Sequence, residues 1–211
     1  MRAIAAFDFD GTLTRRDTMY PFLRELVGFR SLAGAALVDL PRLALTALGR
    51  GDRDAAKARL LTRSLAGLDA ETVERLGRSH AHRILDHELR PQVIDRVRWH
   101  KAHDHETVIV SASLHPYLEP VARALSFDHL LCTRLEIRDG HLTGEMEGGN
   151  CRGPAKLARL RDAFGDPATT PYELWAYGDS AGDDTMLHAA DHAFRVDRRG
   201  VMRAGQRSAR R

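Results

Sequence analysis

Only two cysteines, Cys132 and Cys151, occur in the 211-residue chain. That is too few for a disulfide scaffold, and their spacing is not that of a metal-binding pair, so a reduced, cytoplasmic setting fits best. Aromatic residues are scarce at 6%, and no apolar run is long enough to span a bilayer. The greasiest stretch, Ser31 to Gly49, is interrupted by Asp39, Pro41 and Arg42, and a charge at mid-helix is costly in hydrocarbon. No basic region followed by a long apolar segment opens the chain, so no secretory leader and no transmembrane segment are expected. Excess charge of one sign is also missing. Lys and Arg number 32 against 29 acids, for a net +3. The surplus is local, because Arg195 to Arg211 holds seven arginines and one acid, +6, which leaves −3 elsewhere. No aromatics interleave with those arginines, so a solvated basic tail is expected rather than a nucleic-acid partner. A hydrophobic fraction of 43% excludes global disorder, and the length allows one main domain with a smaller insertion.

What is present is organised around Ala3-Ile4-Ala5-Ala6-Phe7-Asp8-Phe9-Asp10-Gly11-Thr12. A short apolar run suits a strand buried on both faces of a parallel sheet, and the acids then stand at its carboxyl end, where open α/β sheets bind ligands. If the strand persists, Asp8 and Asp10 share one side. Two neighbouring carboxylates repel, so such a site holds a cation or keeps a proton, and both arrangements serve phosphoryl transfer. Alone, Asp-X-Asp-Gly is also a turn or half a calcium loop.

From Thr14 to His103 the chain reads as helices: one begun at Asp17 or Thr18 and ending by Phe29, one from Ser31 to Leu48, others opening at Asp52, Asp69 and Pro91. A direct strand crossover needs far fewer residues, so a helical cap is expected over residues 15–103, with the core formed by 1–14 and 104–211. His80, His82, His87, His100, His103 and His105 show no compact zinc spacing and read as surface or packing residues.

Glu106 to Ser113 is a β-branched strand ending in small hydroxyl residues. Ser111 is the expected phosphate ligand, and Gly11 and Ala112 are small neighbours that let backbone amides approach an anion. Viewed in isolation, Ser-Ala-Ser reads first as a helix-capping turn. A short strand, His129 to Thr133, precedes an antiparallel flap that turns at Asp139-Gly140. Lys156 falls in the first turn of the helix after Pro154. There it is either solvated or a compact charge for phosphate and an attacking carboxylate. Tyr172 to Tyr177 is a fourth strand that delivers Gly178-Asp179-Ser180-Ala181-Gly182-Asp183. Those acids are either turn chemistry or, with Asp8 and Asp10, an oxygen-only cluster of the kind magnesium prefers.

Taken together, Asp8-Phe9-Asp10-Gly11-Thr12, Val110-Ser111-Ala112-Ser113, Lys156 and Gly178-Asp179 through Asp183 resemble the four motifs, in order, of the haloacid dehalogenase superfamily. The likeness is to its phosphoserine-phosphatase-like branch, subfamily IB, and spans almost the whole chain. It implies a Rossmann-like α/β core, a C1-type helical cap and a flap. It also implies Asp8 as nucleophile and Asp10 as general acid and base. Magnesium would be bound by Asp8, the Asp10 carbonyl and Asp179, with Asp183 in support, and Ser111 and Lys156 would hold the phosphoryl group. Dehalogenases of this family lack the second acid, because a halide leaves without a proton. By position Asp17 matches a cap acid that binds the substrate amino group in phosphoserine phosphatases, although it is equally a good N-cap. Lys57, Arg59 and Arg63 are candidates for a substrate carboxylate. Ala-Ser follows Ser111 where those enzymes commonly carry Gly-Gly, so histidinol phosphate, other amino alcohol phosphates and lipid phosphates stand beside phosphoserine.

The leading expectation is a magnesium-dependent phosphomonoesterase, with a small-molecule phosphomonoester as partner and the oligomeric state left open. A phosphotransferase or mutase using the same aspartyl phosphate, and a regulatory protein binding nucleic acid through its tail, are the alternatives.

Overall fold

The computed structural model describes residues 2–38, 52–166 and 169–205. Its centre is a mixed sheet of seven strands in the order β4-β3-β2-β1-β5-β6-β7. The strands are β1 (Ala3–Phe7), β2 (Glu106–Leu114), β3 (His129–Arg138), β4 (His141–Glu147), β5 (Glu173–Gly178), β6 (His192–Val196) and β7 (Met202–Ala204). Strands β3, β2, β1, β5 and β6 run parallel, and β4 and β7 are antiparallel additions at the two edges. From β1 the chain builds outward through β2 and β3, then returns to β5 on the other side of β1. The reversal falls at β1, and in such sheets the crevice forms at the carboxyl ends beside that point.

Alternation along the strands divides the core in two. Ala5, Phe7 and Ile109 face the helices α1 (Met19–Val38), α2 (Arg53–Leu65), α3 (Ala70–His87), α4 (Pro91–Ala102) and α5 (His115–Ala124). Ile4, Ala6, Val108 and Val110 face α6 (Pro154–Phe164) and α7 (Asp184–Ala189), with Leu160, Phe164 and Met186. Every side chain of β1 is buried, as its unbroken apolar run requires.

The expected helix starts are built by their own side chains. Asp52 accepts from the amides of Asp54 at 2.8 Å and Ala55 at 3.1 Å, and Asp69 from that of Thr72 at 2.8 Å. Helix α1 breaks at Gly28, whose φ of +79° leaves the helical region, in place of the expected stop after Phe29. The second expected helix runs from Ser31 only as far as Val38 within the described residues, and its remainder, 39 to 48, lies outside them. At Gly77 the α3 backbone passes so close to α5 that a Cβ would stand 2.3 Å from the Pro116 carbonyl oxygen.

Two expectations are corrected at the sheet edges. The short strand at His129 to Thr133 and the flap are continuous, because β3 runs on to Arg138 and turns through Asp139 (φ +50°) and Gly140 (φ +77°) into β4. The hairpin is braced by α2 and the residues after it: Thr62 donates to the Gly144 carbonyl at 3.1 Å, and the Gly67 amide to the Leu142 carbonyl at 2.8 Å. The basic tail, expected to be solvated from Arg195 onward, instead begins inside the sheet. Arg195 lies in β6, and the Asp197 side chain holds the following turn by accepting from the amides of Arg199 at 2.8 Å and Val201 at 3.0 Å. Arg207, Arg210 and Arg211 lie outside the described residues.

Candidate active site

Strand β1 ends at Phe7, so Asp8 and Asp10 are not placed on one side by a continuing strand. A tight turn at Phe9–Leu13 follows, with Gly11 at φ +82°, and it sends the two carboxylates to different partners. Both still line one cavity of about 880 Å³ at the carboxyl ends of the strands, with Gly11, Ser111, Ala112, Lys156, Asp179 and Asp183.

The floor of the cavity is an ion-paired triad. Lys156 Nζ, almost completely buried, donates to Asp8 Oδ1 at 2.5 Å and to Asp183 Oδ1 at 2.5 Å. Asp8 also accepts from Thr12 Oγ1 at 3.3 Å. The other oxygen of Asp183 receives the amides of Asp179 at 3.2 Å and Ser180 at 3.0 Å, and the Ser180 hydroxyl at 3.1 Å. Asp183 therefore fixes both the loop after β5 and the ammonium. Burial pulls on the Lys156 ammonium, but Asp8 and Asp183 outweigh it and hold its pKa above the usual lysine value. Burial pushes Asp8 up to about 7 against the pull of Lys156, with Asp183 adding to the push.

Asp10 stands in the side wall. Its Oδ1 accepts from the Thr18 amide at 2.8 Å and the Thr18 hydroxyl at 2.6 Å, and its Oδ2 from the Ser113 hydroxyl. Burial, then nearby Asp17, push its carboxyl up to about 6, while the bonds from Ser113 and Thr18 pull the other way. Ser111, buried, accepts the Ser113 amide at 3.0 Å. Asp17 caps α1 by accepting the Tyr20 amide at 2.9 Å, and it also lines a smaller cavity of about 200 Å³ with Asp10, Asp54, Lys57 and Asn150. Lys57 reaches that wall, donating to the Ala112 carbonyl and to Asn150 Oδ1 at 2.8 Å, and burial draws it down to about 8. Arg59 and Arg63 do not line either cavity.

A family model described as haloacid dehalogenase-like hydrolase matches residues 5–188. The chain belongs to that family. Among relatives of this hydrolase, protein CicA of Caulobacter vibrioides is 36% identical over 197 residues, covering 92% of this chain and 86% of that protein. A probable phosphatase of Mycobacterium tuberculosis is 28% identical over 201 residues, covering 93% of this chain and 69% of its own length. Among solved structures, a Bordetella pertussis Tohama I protein of unknown function superposes with a TM-score of 0.74 at 26% identity, covering 90% and 87% of the two chains. A substrate-bound phosphoserine phosphatase gives a TM-score of 0.60 at 20% identity, covering 90% and 83%, and shares the fold.

The hydrolase's acidic floor fits a hard divalent ion. One oxygen from each of Asp8, Asp179 and Asp183 lies within 4.8 Å of the others, an all-oxygen donor set of the type magnesium takes. Gly11 leaves the cradle open, since a Cβ there would stand 2.3 Å from Asp179 Oδ2. Sequence reasoning missed Thr18 and Ser113 as partners of Asp10, and Arg90, Arg195 and Arg198 as cavity walls. The hydroxyl run Ser111-Ala112-Ser113 carried a signal for one of these, and the Asp197 to Gly200 turn a signal for the last two.

Proposed function

We propose that this hydrolase is a phosphomonoesterase that acts through an aspartyl phosphate formed on Asp8. What supports the reading best is the contrast between the two carboxylates of one cavity. Asp8 is paired with a buried ammonium that favours its ionised form against burial, and Asp10, beside Asp17, has hydroxyl and amide donors but no ion-pair partner among the described residues.

Lys156, Ser111 and the backbone beside Gly11 and Ala112 hold the phosphoryl oxygens in this scheme. An oxygen of Asp8 bonds to phosphorus as the bond to the alcohol oxygen breaks, and Asp10 delivers its proton to the departing alkoxide. Asp10, now ionised, takes a proton from a water that attacks phosphorus, which releases phosphate and restores Asp8. Magnesium held by Asp8, Asp179 and the Asp10 main chain, with Asp183 behind, would supply positive charge against the phosphoryl oxygens. The smaller cavity, which shares Asp10, Asp17, Ala112 and Arg152 with the larger one, takes polar substituents of the alcohol portion. Asp17 and Asp54 there suit an amino group, as in a phosphoserine or histidinol phosphate type of metabolite, and Lys57 suits a carboxylate.

The test is phosphate release from a panel of phosphomonoesters, with magnesium and with chelator. Release is expected only with the metal, and Asp8→Asn should lower kcat by about 10⁴-fold or more while leaving thermal unfolding nearly unchanged. Near-normal turnover by that variant removes Asp8 from the nucleophile's role. Phosphate passed to an added alcohol with little reaching water would make the protein a phosphotransferase.

A further inference from the structure

The larger cavity holds more positive charge than its carboxylates or its chemistry use. Besides Lys156 it is walled by Arg15, Arg16, Arg90, Arg152, Arg195 and Arg198. Two of these are committed to the fold. Arg90 donates to the Thr14 carbonyl at 3.0 Å and to the Arg198 carbonyl at 3.0 Å, and Arg195 donates to the Ser180 carbonyl at 2.6 Å and to Asp184. Arg16 is 4.0 Å from Glu88, while Arg15 and Arg198 stand exposed at the cavity's rim and Arg152 is half-buried. For the side chains of Arg15, Arg152 and Arg198, no hydrogen-bonding or ion-pair partner exists among the described residues.

The acids that share the cavity do not neutralise these three. Asp8 and Asp183 face Lys156, Asp179 stands with them on the floor under the influence of Lys156 and Arg195, Asp10 is held by Thr18 and Ser113, and Asp17 caps α1. Asp197 is turned into its own loop, with Arg203 at 3.6 Å. Pockets of about 300–1,000 Å³ bury ligands of drug size, and a cavity of about 880 Å³ is far larger than one phosphoryl group needs. Guanidinium groups match the planar oxygen pairs of phosphate and carboxylate.

We propose that Arg15, Arg152 and Arg198 form a second oxyanion subsite, which receives a phosphate or carboxylate at the far end of a doubly anionic phosphomonoester. The assignment rests on the phosphatase reading of the floor and adds the class of substrate. The subsite is supplied by three separated parts of the chain: the loop after β1, the loop before α6 and the β6–β7 turn. Its distance from Lys156 then selects substrates by length.

Binding measured by calorimetry, in magnesium, separates the subsite from the chemistry. The probes are a simple alkyl phosphonate, alkane bisphosphonates of increasing chain length, and phosphonoalkanoates of matching length. Wild-type protein is expected to bind one chain length about tenfold or more tighter than the alkyl phosphonate. In the Arg15→Gln/Arg198→Gln double variant that advantage should shrink to about threefold or less, and Arg152→Gln should reduce it independently. A bisphosphonate advantage over the carboxylate series identifies phosphate as the second group, and the reverse identifies carboxylate. Equal affinity for the alkyl phosphonate and every diacid overturns the subsite, as does an advantage that survives in the double variant. Phosphate release from p-nitrophenyl phosphate by the same preparation is read separately. Its absence would overturn the phosphatase reading, while the binding contrast would still decide the subsite.

Discussion

The floor and the side wall of the cavity hold carboxylates in opposite ways. On the floor, Asp8 and Asp183 share one buried ammonium at 2.5 Å each. In the wall, Asp10 has hydroxyl and amide donors but no ion-pair partner among the described residues, and the charge that shifts it most is that of the acid Asp17. The ammonium pulls Asp8 toward its ionised form against strong desolvation, whereas Asp10 is held by neutral donors beside a like charge. One strand end thus presents one carboxylate bound to a cation and one bound to neutral donors.

Removing the floor's cation should have the largest effect on this contrast. Lys156→Met leaves Asp8 and Asp183 buried without their shared partner, and breaking a buried pair on one side costs about 3–5 kcal/mol. The variant should lose about 10³-fold in kcat/KM and melt at a clearly lower temperature. Unchanged kinetics with a lowered melting temperature would make Lys156 a structural counter-ion only.

How much of this was legible in the sequence depends on which forces set each part. The parallel strands and their acidic ends were readable because an unbroken apolar run such as Ala3–Phe7 has few alternatives to a doubly covered strand. Lys156 was legible only through the resemblance, because a lone lysine in a helix's first turn is ordinarily solvated. Thr18 was not, because its bond to Asp10 needs the chain to double back across eight residues, and locally Thr18 looks only like a cap. Strand β6 was missed because its residues are mostly half-buried and its sequence, His-Ala-Phe-Arg-Val, merges into an arginine-rich end. The turn that joins it to β7 did carry a mark: Asp197 and Gly200, the latter at φ +82°, are the polar and left-handed positions of a tight connection.

A smaller change sharpens the wall. Thr18→Val preserves shape and the backbone amide bond to Asp10, and removes one hydroxyl donor. Donors to the ionised form lower a carboxyl pKa, so their loss raises it. Asp10, at about 6 in the intact wall, should then keep its proton to higher pH. The alkaline fall in kcat/KM for alkyl phosphates moves upward, and the rate drops about tenfold from looser placement of the carboxyl.

The smallest expected effect has the opposite sign. Asp17 raises the pKa of Asp10 by its charge, second only to burial, so Asp17→Asn should lower it. Protonated Asp10 is the form that serves the leaving group, and it is lost as pH rises through its pKa, so the alkaline limb should shift toward acid. Asparagine caps a helix about as well as aspartate, which leaves the start of α1 and the melting temperature nearly as they were. Opposite displacements in the Thr18 and Asp17 variants, read from profiles of kcat/KM against pH with a poor leaving group, would trace both to the proton on Asp10. Shifts of the same sign, or none in either, would mean that the limb belongs to another group and that the wall does not tune the acid.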